Sequence, residues 1–273
     1  MRTRTGRAVF VCAVLAVVGV IAVGALFAIG LPSGQVVCGP RAGTASCTRV
    51  LFIGNSYTYA NDLPGTFAEL ARAAGHEVET GMLATGGATL ADHAAEAATM
   101  QRLGSSRWDH VVLQEQSQIP AIRDLRGQQM YPAARSLVVD VRATGASPML
   151  LVTWAHRDGW PENGLPDFAA MQDGIDEGYQ AIARELAVPE APVGYVWARV
   201  RRDHPEVDLW QADGSHPSVS GTYLAACVLY TSIFRENPPA SSSPAGLSQA
   251  TATLLRQSAA ALVLSEPAAW GLR

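Results

Sequence analysis

Residues 49–58 read Arg-Val-Leu-Phe-Ile-Gly-Asn-Ser-Tyr-Thr, a short apolar run that passes directly into a polar turn. Four consecutive apolar residues bounded by turn-forming ones are typical of a strand that is buried on both faces. We therefore predict a first strand over Arg49–Ile53. A serine just beyond such a strand, two residues after a glycine, can lie on a tight turn with its hydroxyl exposed. This stretch makes Ser56 a candidate nucleophile at the end of the first strand.

The rest of the chain alternates short apolar strands with helices. Further strands are predicted at Glu77–Leu83, His110–Leu113, Met149–Thr153 and Val193–Val196. Helices are predicted at Leu63–Ala74, Leu90–Leu103, Tyr131–Thr144, Met171–Leu186, Gly221–Phe234 and Leu247–Leu264. Such alternation implies an α/β fold, in which helices cover both faces of a parallel sheet. Ligands bind these sheets beyond the carboxyl ends of the strands.

The beginning of the chain has a different composition. Three arginines within the first seven residues precede an uncharged apolar run that extends to Pro32. That run exceeds the roughly 7–15 apolar residues of a cleavable signal peptide and matches the roughly 20 that span a bilayer. Residues 1–32 are therefore predicted to be a transmembrane signal anchor, which places a linker (33–48) and the folded domain (49–273) outside the cell membrane. Secretion after signal cleavage is the alternative.

Charge and cysteine usage exclude several classes of function. All 20 basic residues are arginine, so a P-loop lysine, a Schiff-base lysine and a serine–lysine dyad are impossible. The 24 acidic residues and the lack of a basic run argue against nucleic acid as a partner. Neither Cys-x-x-Cys nor His-Glu-x-x-His occurs, so we expect no metal site. Cys38 and Cys47 flank a short loop and could pair in an oxidising compartment.

A base for the candidate nucleophile stands near the end of the chain. A serine hydroxyl is a weak nucleophile and needs a base within hydrogen-bond reach. Among the six histidines, His216 is the best placed, because it follows Asp213 by three residues on a loop before a predicted helix. Asp213 can turn back and hold one imidazole nitrogen, which leaves the other nitrogen for Ser56. We predict these three residues to be the catalytic ones.

Donors for an oxyanion are expected in the loops after the second and third strands. Gly87 offers a backbone N–H there, and Gln114 and Gln116 offer side-chain amides. The oxyanion hole is predicted to consist of the N–H groups of Ser56 and Gly87 with Gln116, and Gln114 is the alternative to Gln116. Glu115 between the two glutamines is interpreted as solvated or paired rather than as a general acid.

Other residues at the same edge of the sheet are candidates for a substrate pocket. Trp154 and His156 follow the fourth strand, and an aromatic wall at that position would suit a sugar ring. A buried tryptophan and a surface histidine are the alternative interpretation. The candidate pocket residues are Asn55, Gly86, Gln114, Trp154 and His156.

The order and spacing of these blocks resemble those of the SGNH (GDSL-type) hydrolases over about residues 49–237. Gly-Asn-Ser at 54–56 looks like their Gly-Asp-Ser block, with asparagine in place of aspartate. The segment from Gly87 is similar to their second block, whose glycine N–H serves the oxyanion hole, and Asp213 with His216 matches the fifth, which completes the triad. The third block departs from the usual Gly-x-Asn-Asp and has glutamine at the asparagine position. This variant resembles a bacterial subgroup that is often exported.

The resemblance implies a three-layer αβα, flavodoxin-like fold around a central parallel sheet, and hydrolysis of ester or thioester bonds. The chain is therefore predicted to be a serine ester hydrolase that acts on small-molecule or carbohydrate esters without a cofactor. Two alternatives stay open. The first is an acyltransferase acting on cell-envelope glycans, and the second is a membrane-tethered glycan-binding protein that has lost activity.

Overall fold

The computed structural model describes residue 38, residues 47–241, residue 244 and residues 246–272. The predicted signal anchor at 1–32 lies outside the described residues, as does most of the predicted linker. Every helix in the described part of the chain is too short or too polar to span a bilayer.

Five parallel strands form one sheet in the order β2-β1-β3-β4-β5. The strands are β1 (Thr48–Gly54), β2 (Val78–Ala84), β3 (His110–Leu113), β4 (Ser147–Leu151) and β5 (Glu190–Ala191). In the middle of β1, Leu51 lies opposite Gly81 of β2 on one side and opposite Val111 of β3 on the other. Residues 50–53 have no exposed surface, which confirms that the opening apolar run is a strand covered on both faces.

The sheet is covered by helices on both sides. The α-helices of the described residues are α1 (Ser56–Tyr59), α2 (Leu63–Ala73), α3 (Leu90–Ala95), α4 (Ala97–Gly104), α5 (Arg123–Leu125), α6 (Tyr131–Ala143), α7 (Phe168–Leu186), α8 (Val193–Asp203), α9 (Val219–Phe234) and α10 (Gln249–Ser265). Helix α9 contacts α2, α8 and α10, whereas α6 contacts α3 and α7. Because parallel crossovers are right-handed, these two groups lie on opposite faces of the sheet. The predicted α/β fold with a central parallel sheet is confirmed.

One predicted strand is wrong. Residues 193–196 are not the fifth strand but the first turn of α8. Val193, Val196, Trp197 and Val200 are fully buried, and their spacing of three and four residues is that of one face of a helix. Four apolar residues cannot show whether their period is that of a strand or of a helix, and β5 itself consists of only two residues.

One predicted helix is interrupted. The helix expected at Leu90–Leu103 consists of α3 and α4, which meet at Glu96. The backbone of Glu96 is extended, with φ −88° and ψ 127°, so the helical hydrogen bonds stop there and start again. The break makes α3 a short element, and its first residue lies directly after the predicted oxyanion loop.

The strand order reverses between β1 and β3, because the chain runs from β1 outward to β2 and then returns to the other side of β1. In open parallel sheets the crevice for ligands lies at this switch point, beyond the carboxyl ends of the strands. Ser56 follows β1 directly, and the loop that begins at Gln114 follows β3. The topology therefore brings two of the predicted chemical blocks to the same crevice.

Cys38 and Cys47 form a disulfide with a Cα–Cα distance of 5.7 Å, as their spacing allowed. The disulfide holds residue 38 against the first two strands. The N–H of Cys38 donates to Glu79 of β2, and its carbonyl accepts from the Arg49 guanidinium of β1. The remaining cysteine of the described residues, Cys227, is fully buried in α9.

Candidate active site

A continuous hydrogen-bonded chain joins the three predicted catalytic side chains. The Nε2 atom of His216 lies 2.9 Å from the Oγ atom of Ser56. On the other side of the ring, Nδ1 lies 2.6 Å from Oδ2 of Asp213. A carboxylate on Nδ1 fixes the tautomer in which Nε2 is free to accept a proton. The structure therefore brings the three residues together in the order that nucleophilic catalysis by serine requires.

The loop that carries the histidine is folded by its own aspartate. Oδ1 of Asp213 accepts the backbone N–H groups of Ser215 and His216, at 2.9 and 3.0 Å. Gly214 between them has φ +69°, a conformation that favours glycine. Burial raises the pKa of Asp213, but the hydrogen bonds from Ser215 and His216 outweigh it, and the net effect is a lowered pKa. The carboxylate is therefore charged at neutral pH and can stabilise a protonated His216.

A buried glutamine, Gln114, supports the turn that carries the serine. Oε1 of Gln114 accepts the N–H of Asn55 at 3.0 Å and the hydroxyl of Thr58 at 2.9 Å. The Nε2 group of Gln114 donates to the carbonyl of Glu115. A Cβ at Gly54 would collide with the Gln114 side chain, which is why the residue before Asn55 has to be glycine.

Two further side chains connect this turn to its neighbours. The Oδ1 atom of Asn55 accepts the N–H of Tyr57, and its Nδ2 group donates to the carbonyl of Ala88 at 2.9 Å. Asn55 therefore links the turn that carries Ser56 to the loop that contains Gly87. His93 of α3 is buried, with its Nε2 atom 2.8 Å from the carbonyl of Gly54. The position of Ser56 is thus fixed by contacts from both adjoining loops.

The predicted oxyanion donors differ in their availability. In the described part of the chain, the N–H groups of Ser56 and Gly87 have no hydrogen-bond acceptor. Gly87 is exposed and has φ +73°. The side chain of Gln116 is half-buried and bonds within its own loop. Its Oε1 atom accepts from Gln118 N at 2.8 Å, and its Nε2 group makes longer contacts of 3.2 Å to Gln118 and 3.5 Å to Ser117.

Three of the five predicted pocket residues, Gln114, Trp154 and Asn55, are wrong, because they have almost no exposed surface. Gln114 is 1% exposed and uses both ends of its amide inside the protein, so it can neither contact substrate nor serve an oxyanion. Trp154 is fully buried between Tyr57 and Trp197, with ring centroids 4.5 and 4.2 Å away. Its indole N–H donates to the carbonyl of Ser215 at 3.1 Å. Trp154 therefore supports the histidine loop from the core and cannot form a wall for a sugar.

Asn55 differs from the two remaining candidates, Gly86 and His156. Asn55 is 2% exposed, so its role is the structural one described above. Gly86 is exposed, and a Cβ there would come within 3.2 Å of the Tyr59 hydroxyl. His156 is half-buried, and its Nε2 atom lies 3.2 Å from Oγ of Ser117. Of the pocket residues predicted from sequence, Gly86 and His156 are thus the ones with solvent-accessible surface near Ser56.

Glu115 is not solvated, and no basic side chain in the described part of the chain pairs with it. It has no exposed surface, and its Oε1 atom accepts the N–H groups of Leu90 and Gln116, at 3.0 and 2.7 Å. Its Oε2 atom is buried without a partner among the described residues. Burial raises the pKa of Glu115 to about 7, although the two backbone hydrogen bonds lower it. This carboxyl group connects the start of α3 to the loop after β3, beneath the predicted oxyanion hole.

Sequence reasoning missed a second polar network, centred on Tyr57. Its hydroxyl lies 2.8 Å from Oγ of Ser215, and the nearby Ser117 hydroxyl also acts on its pKa. Its ring contacts the His216 ring edge-on at 5.8 Å. Burial raises the pKa of Tyr57 to about 12, so the hydroxyl stays protonated. The available signal was position, since Tyr57 directly follows the serine and Ser117 ends the block after β3.

Within the described residues, no group of three or more histidine, cysteine or carboxylate side chains is arranged to hold a metal ion. The arrangement that is present is suited to proton transfer. It combines a serine, an imidazole that is oriented by a carboxylate, and backbone N–H groups without acceptors, which together serve nucleophilic attack on a carbonyl carbon.

No protein-family model matches the chain, and no curated protein matches it. Solved structures do. A protein described as "a putative SGNH hydrolase from Slackia heliotrinireducens" is 33% identical, with a TM-score of 0.59, over 68% of this chain and 98% of that one. A DUF4886 family protein from Bacteroides uniformis is 20% identical, with a TM-score of 0.70, over 80% of this chain and 95% of that one. The acetylxylan esterase Axe2 from Geobacillus stearothermophilus is 16% identical, with a TM-score of 0.51, over 70% and 94%.

The last two likenesses show the fold alone. The first combines one-third identity with nearly full coverage of the relative, and its family is the one that the sequence blocks resemble. The chain belongs to the SGNH family of ester-hydrolysing enzymes.

Proposed function

We propose that this chain hydrolyses esters through a triad in which Ser56 is the nucleophile, His216 the general base and Asp213 the residue that orients it. The observation that carries the proposal is the unbroken hydrogen-bonded path from Oδ2 of Asp213 through both ring nitrogens of His216 to Oγ of Ser56. A serine on a turn rarely has an imidazole at 2.9 Å that is itself held by a carboxylate, unless the serine has to lose its proton.

In the first half of the reaction Ser56 attacks the ester carbonyl carbon. His216 removes the hydroxyl proton through Nε2 while the new Oγ–carbon bond forms. The carbonyl oxygen becomes an oxyanion. The Asp213 carboxylate remains ionised and stabilises the imidazolium that results.

The oxyanion is stabilised by donors that are already in place. We assign this role to the N–H groups of Ser56 and Gly87, which have no acceptor in the described part of the chain. Gln116 is the candidate third donor, since the contacts of its Nε2 group are long. Fixed N–H groups aimed at a developing charge typically lower the barrier by about 3–4 kcal/mol for each donor.

The second half of the reaction releases both products. Protonated His216 gives its proton to the ester oxygen, the carbon–oxygen bond breaks, and the alcohol leaves. His216 then takes a proton from water, whose oxygen attacks the acyl group on Ser56. Collapse of the second intermediate returns the proton to Ser56 and releases the carboxylic acid.

We propose acylated carbohydrates or small esters as the substrate class. The triad is open, because the side chains of His216 and Asp213 are 36% and 47% exposed. An open triad admits an ester that projects from a larger hydrophilic molecule. Among the structures that share the fold, Axe2 is described as an acetylxylan esterase, which supports the same class.

We also propose that the domain works outside the cell membrane, tethered by the segment at 1–32. The disulfide between Cys38 and Cys47 supports an oxidising compartment, since such bonds persist mainly in exported proteins. Digestion of intact cells with an added protease tests this location. Loss of the domain from intact cells supports it, and protection until the cells are lysed contradicts it.

The catalytic assignment is tested on the full chain by fluorophosphonate labelling and by turnover of p-nitrophenyl acetate. Wild type should be labelled and should release nitrophenol. Ser56→Ala should lose both while keeping a native circular dichroism spectrum. Ser105→Ala, at the exposed end of α4, is the matched control and should behave as wild type. Turnover that persists in Ser56→Ala would refute the assignment.

A further inference from the structure

His156 lies beyond the carboxyl end of β4 with one ring nitrogen held by the protein and the other free. Its Nε2 atom is 3.2 Å from Oγ of Ser117. Its Nδ1 atom has no partner in the described residues, and the ring is half-exposed. His93 is a useful contrast, because its Nδ1 atom is buried and has no hydrogen-bond partner among the residues that the structure describes. The free nitrogen of His156 can therefore meet a ligand, and that of His93 cannot.

The residue that holds His156 is itself fixed to the triad. Ser117 is 5% exposed, and its hydroxyl is close enough to that of Tyr57 to lower the pKa of Tyr57. The hydroxyl oxygen of Tyr57 in turn lies 2.8 Å from Oγ of Ser215, the residue before His216. The hydrogen bond from the buried Ser117 hydroxyl holds the imidazole in one orientation, next to the Tyr57 side chain. A histidine on a loop that only faces solvent would not be expected to have its ring oriented by a buried hydroxyl.

The order of the strands shows on which side of the nucleophile His156 lies. Gly87 follows β2, Ser56 follows β1, Ser117 follows β3, and His156 follows β4. His156 therefore lies on the side of Ser56 that is opposite to Gly87. It is close enough to Asp213 and His216 for both charges to act on its pKa.

Release of the alcohol, in the second half of the reaction, places the alcohol part of the substrate on the same side of Ser56 as His156. His216 has to reach the ester oxygen in order to protonate it, so the alcohol extends from a point next to the His216 ring. The segment that carries His156 is bonded to the His216 loop, because the N–H of Arg157 donates to the carbonyl of Gly214 at 2.7 Å.

We infer that Nδ1 of His156 forms a hydrogen bond with a free hydroxyl group on the alcohol part of the ester, so that the enzyme selects monoesters of polyhydroxy alcohols such as sugars. This inference rests on the proposed function and adds the feature of the substrate that the site recognises. His156 is here a specificity-determining residue, and no proton transfer is assigned to it.

The charge state of His156 suits this role. Burial lowers its pKa, Asp213 and Glu162 act in the opposite direction, and His216 lowers it further, with a lowered pKa as the result. The ring is therefore neutral at physiological pH. Because the Ser117 hydroxyl can either donate or accept, the neutral ring can present Nδ1 as an acceptor or as an N–H donor.

The test compares two esters that differ only in the hydroxyl group. The substrates are 2-hydroxyethyl acetate and 2-methoxyethyl acetate, whose leaving alcohols have similar size and acidity, and release of acetic acid is followed by titration. Wild type should prefer the hydroxyl ester about three- to tenfold in kcat/KM, the range expected for one neutral hydrogen bond. His156→Ala should bring this ratio close to one.

Two conservative variants separate the ring nitrogens. The amide of His156→Asn lies near the position of Nδ1 and should keep part of the preference. The amide of His156→Gln lies near the position of Nε2 and should lose it. Ser117→Ala releases the ring and should also lower the ratio. His204→Ala, at the far end of α8, is the matched control and should keep the wild-type ratio.

The outcomes distinguish this inference from the proposed function. An unchanged preference in His156→Ala, together with loss of all turnover in Ser56→Ala, overturns the inference alone. A wild type without any preference does the same. If folded wild type hydrolyses neither ester nor p-nitrophenyl acetate, the proposed function is overturned, and the inference falls with it.

Discussion

Nε2 of His216 lies 2.9 Å from Oγ of Ser56, although 160 positions of sequence separate the two residues. The distance is set by two loops at the same edge of the sheet, one after β1 and one before α9. Each loop is folded by a local polar side chain, Asn55 in the first and Asp213 in the second. The contact therefore depends on residues that orient the backbone as well as on Ser56 and His216 themselves.

Asp213→Asn should lower kcat strongly. The amide keeps the size of the carboxylate but removes its charge, and it can hold His216 in the wrong tautomer. We expect a loss of about 10²–10⁴-fold in turnover of p-nitrophenyl acetate, with little change in KM. Asp208→Asn, on an exposed part of the same loop, is the control. Comparable activity in the two variants would mean that His216 does not depend on Asp213.

Gln114→Ala should destabilise the protein as well as the site. The variant leaves the N–H of Asn55 and the hydroxyl of Thr58 buried without an acceptor. An unmet buried hydrogen-bonding group costs about 1–3 kcal/mol, so the free energy of unfolding in urea should fall by at least that amount. Turnover should fall too, because the serine turn loses its support. Gln101→Ala, on exposed α4, should be close to wild type, and equal stabilities of the two variants would contradict the role of Gln114.

Glu115 should make stability depend on pH. Its pKa is raised by burial from 4.5 to about 7, so between these values the folded state binds a proton that the unfolded state releases. The stabilisation from this proton is present below pH 4.5 and is lost as the pH rises towards 7. The free energy of unfolding should therefore decrease from about pH 5 to about pH 8, and by less in Glu115→Gln than in wild type.

This comparison contains its own control. The pKa values of Asp176 and Glu190 are also raised to about 7 by burial, so a residual decrease should remain in the Glu115→Gln protein. Any constant cost of the buried amide cancels, because the two pH values are compared within one variant. Identical pH dependence in the variant and in wild type would show that Glu115 is ionised in the folded protein at pH 5.

Loss of the disulfide should affect stability and spare the chemistry. A bridge between residues nine positions apart restricts the unfolded chain and is expected to contribute about 2–3 kcal/mol. A reducing agent should lower the Tm of wild type but not that of the Cys38→Ser/Cys47→Ser double variant. Turnover by the double variant at moderate temperature should equal that of wild type. A Tm that is insensitive to reduction would show that the disulfide adds nothing to stability.

The sequence by itself determined the fold class and identified the three side chains proposed here as the triad. Strand β1 could be predicted because a strand buried on both faces has to be a continuous apolar run. Residues 50–53 form such a run. The loop with Asp213 and His216 was readable because its folding is local, with the carboxylate three residues from the imidazole. Features that depend on neighbours in sequence can be inferred from the sequence.

The tertiary structure decided everything that depends on neighbours in space. The four-residue sequence Val193–Val196 is compatible with a strand or with a helix. Only its packing against the core determined that it is helical. Trp154 and Gln114 follow strand ends just as Ser56 does, yet they point into the interior, because Tyr57, Trp197 and the serine turn surround them. Burial is a property of the assembled chain, so sequence placed these residues at the correct edge of the sheet but could not show which of them reach substrate.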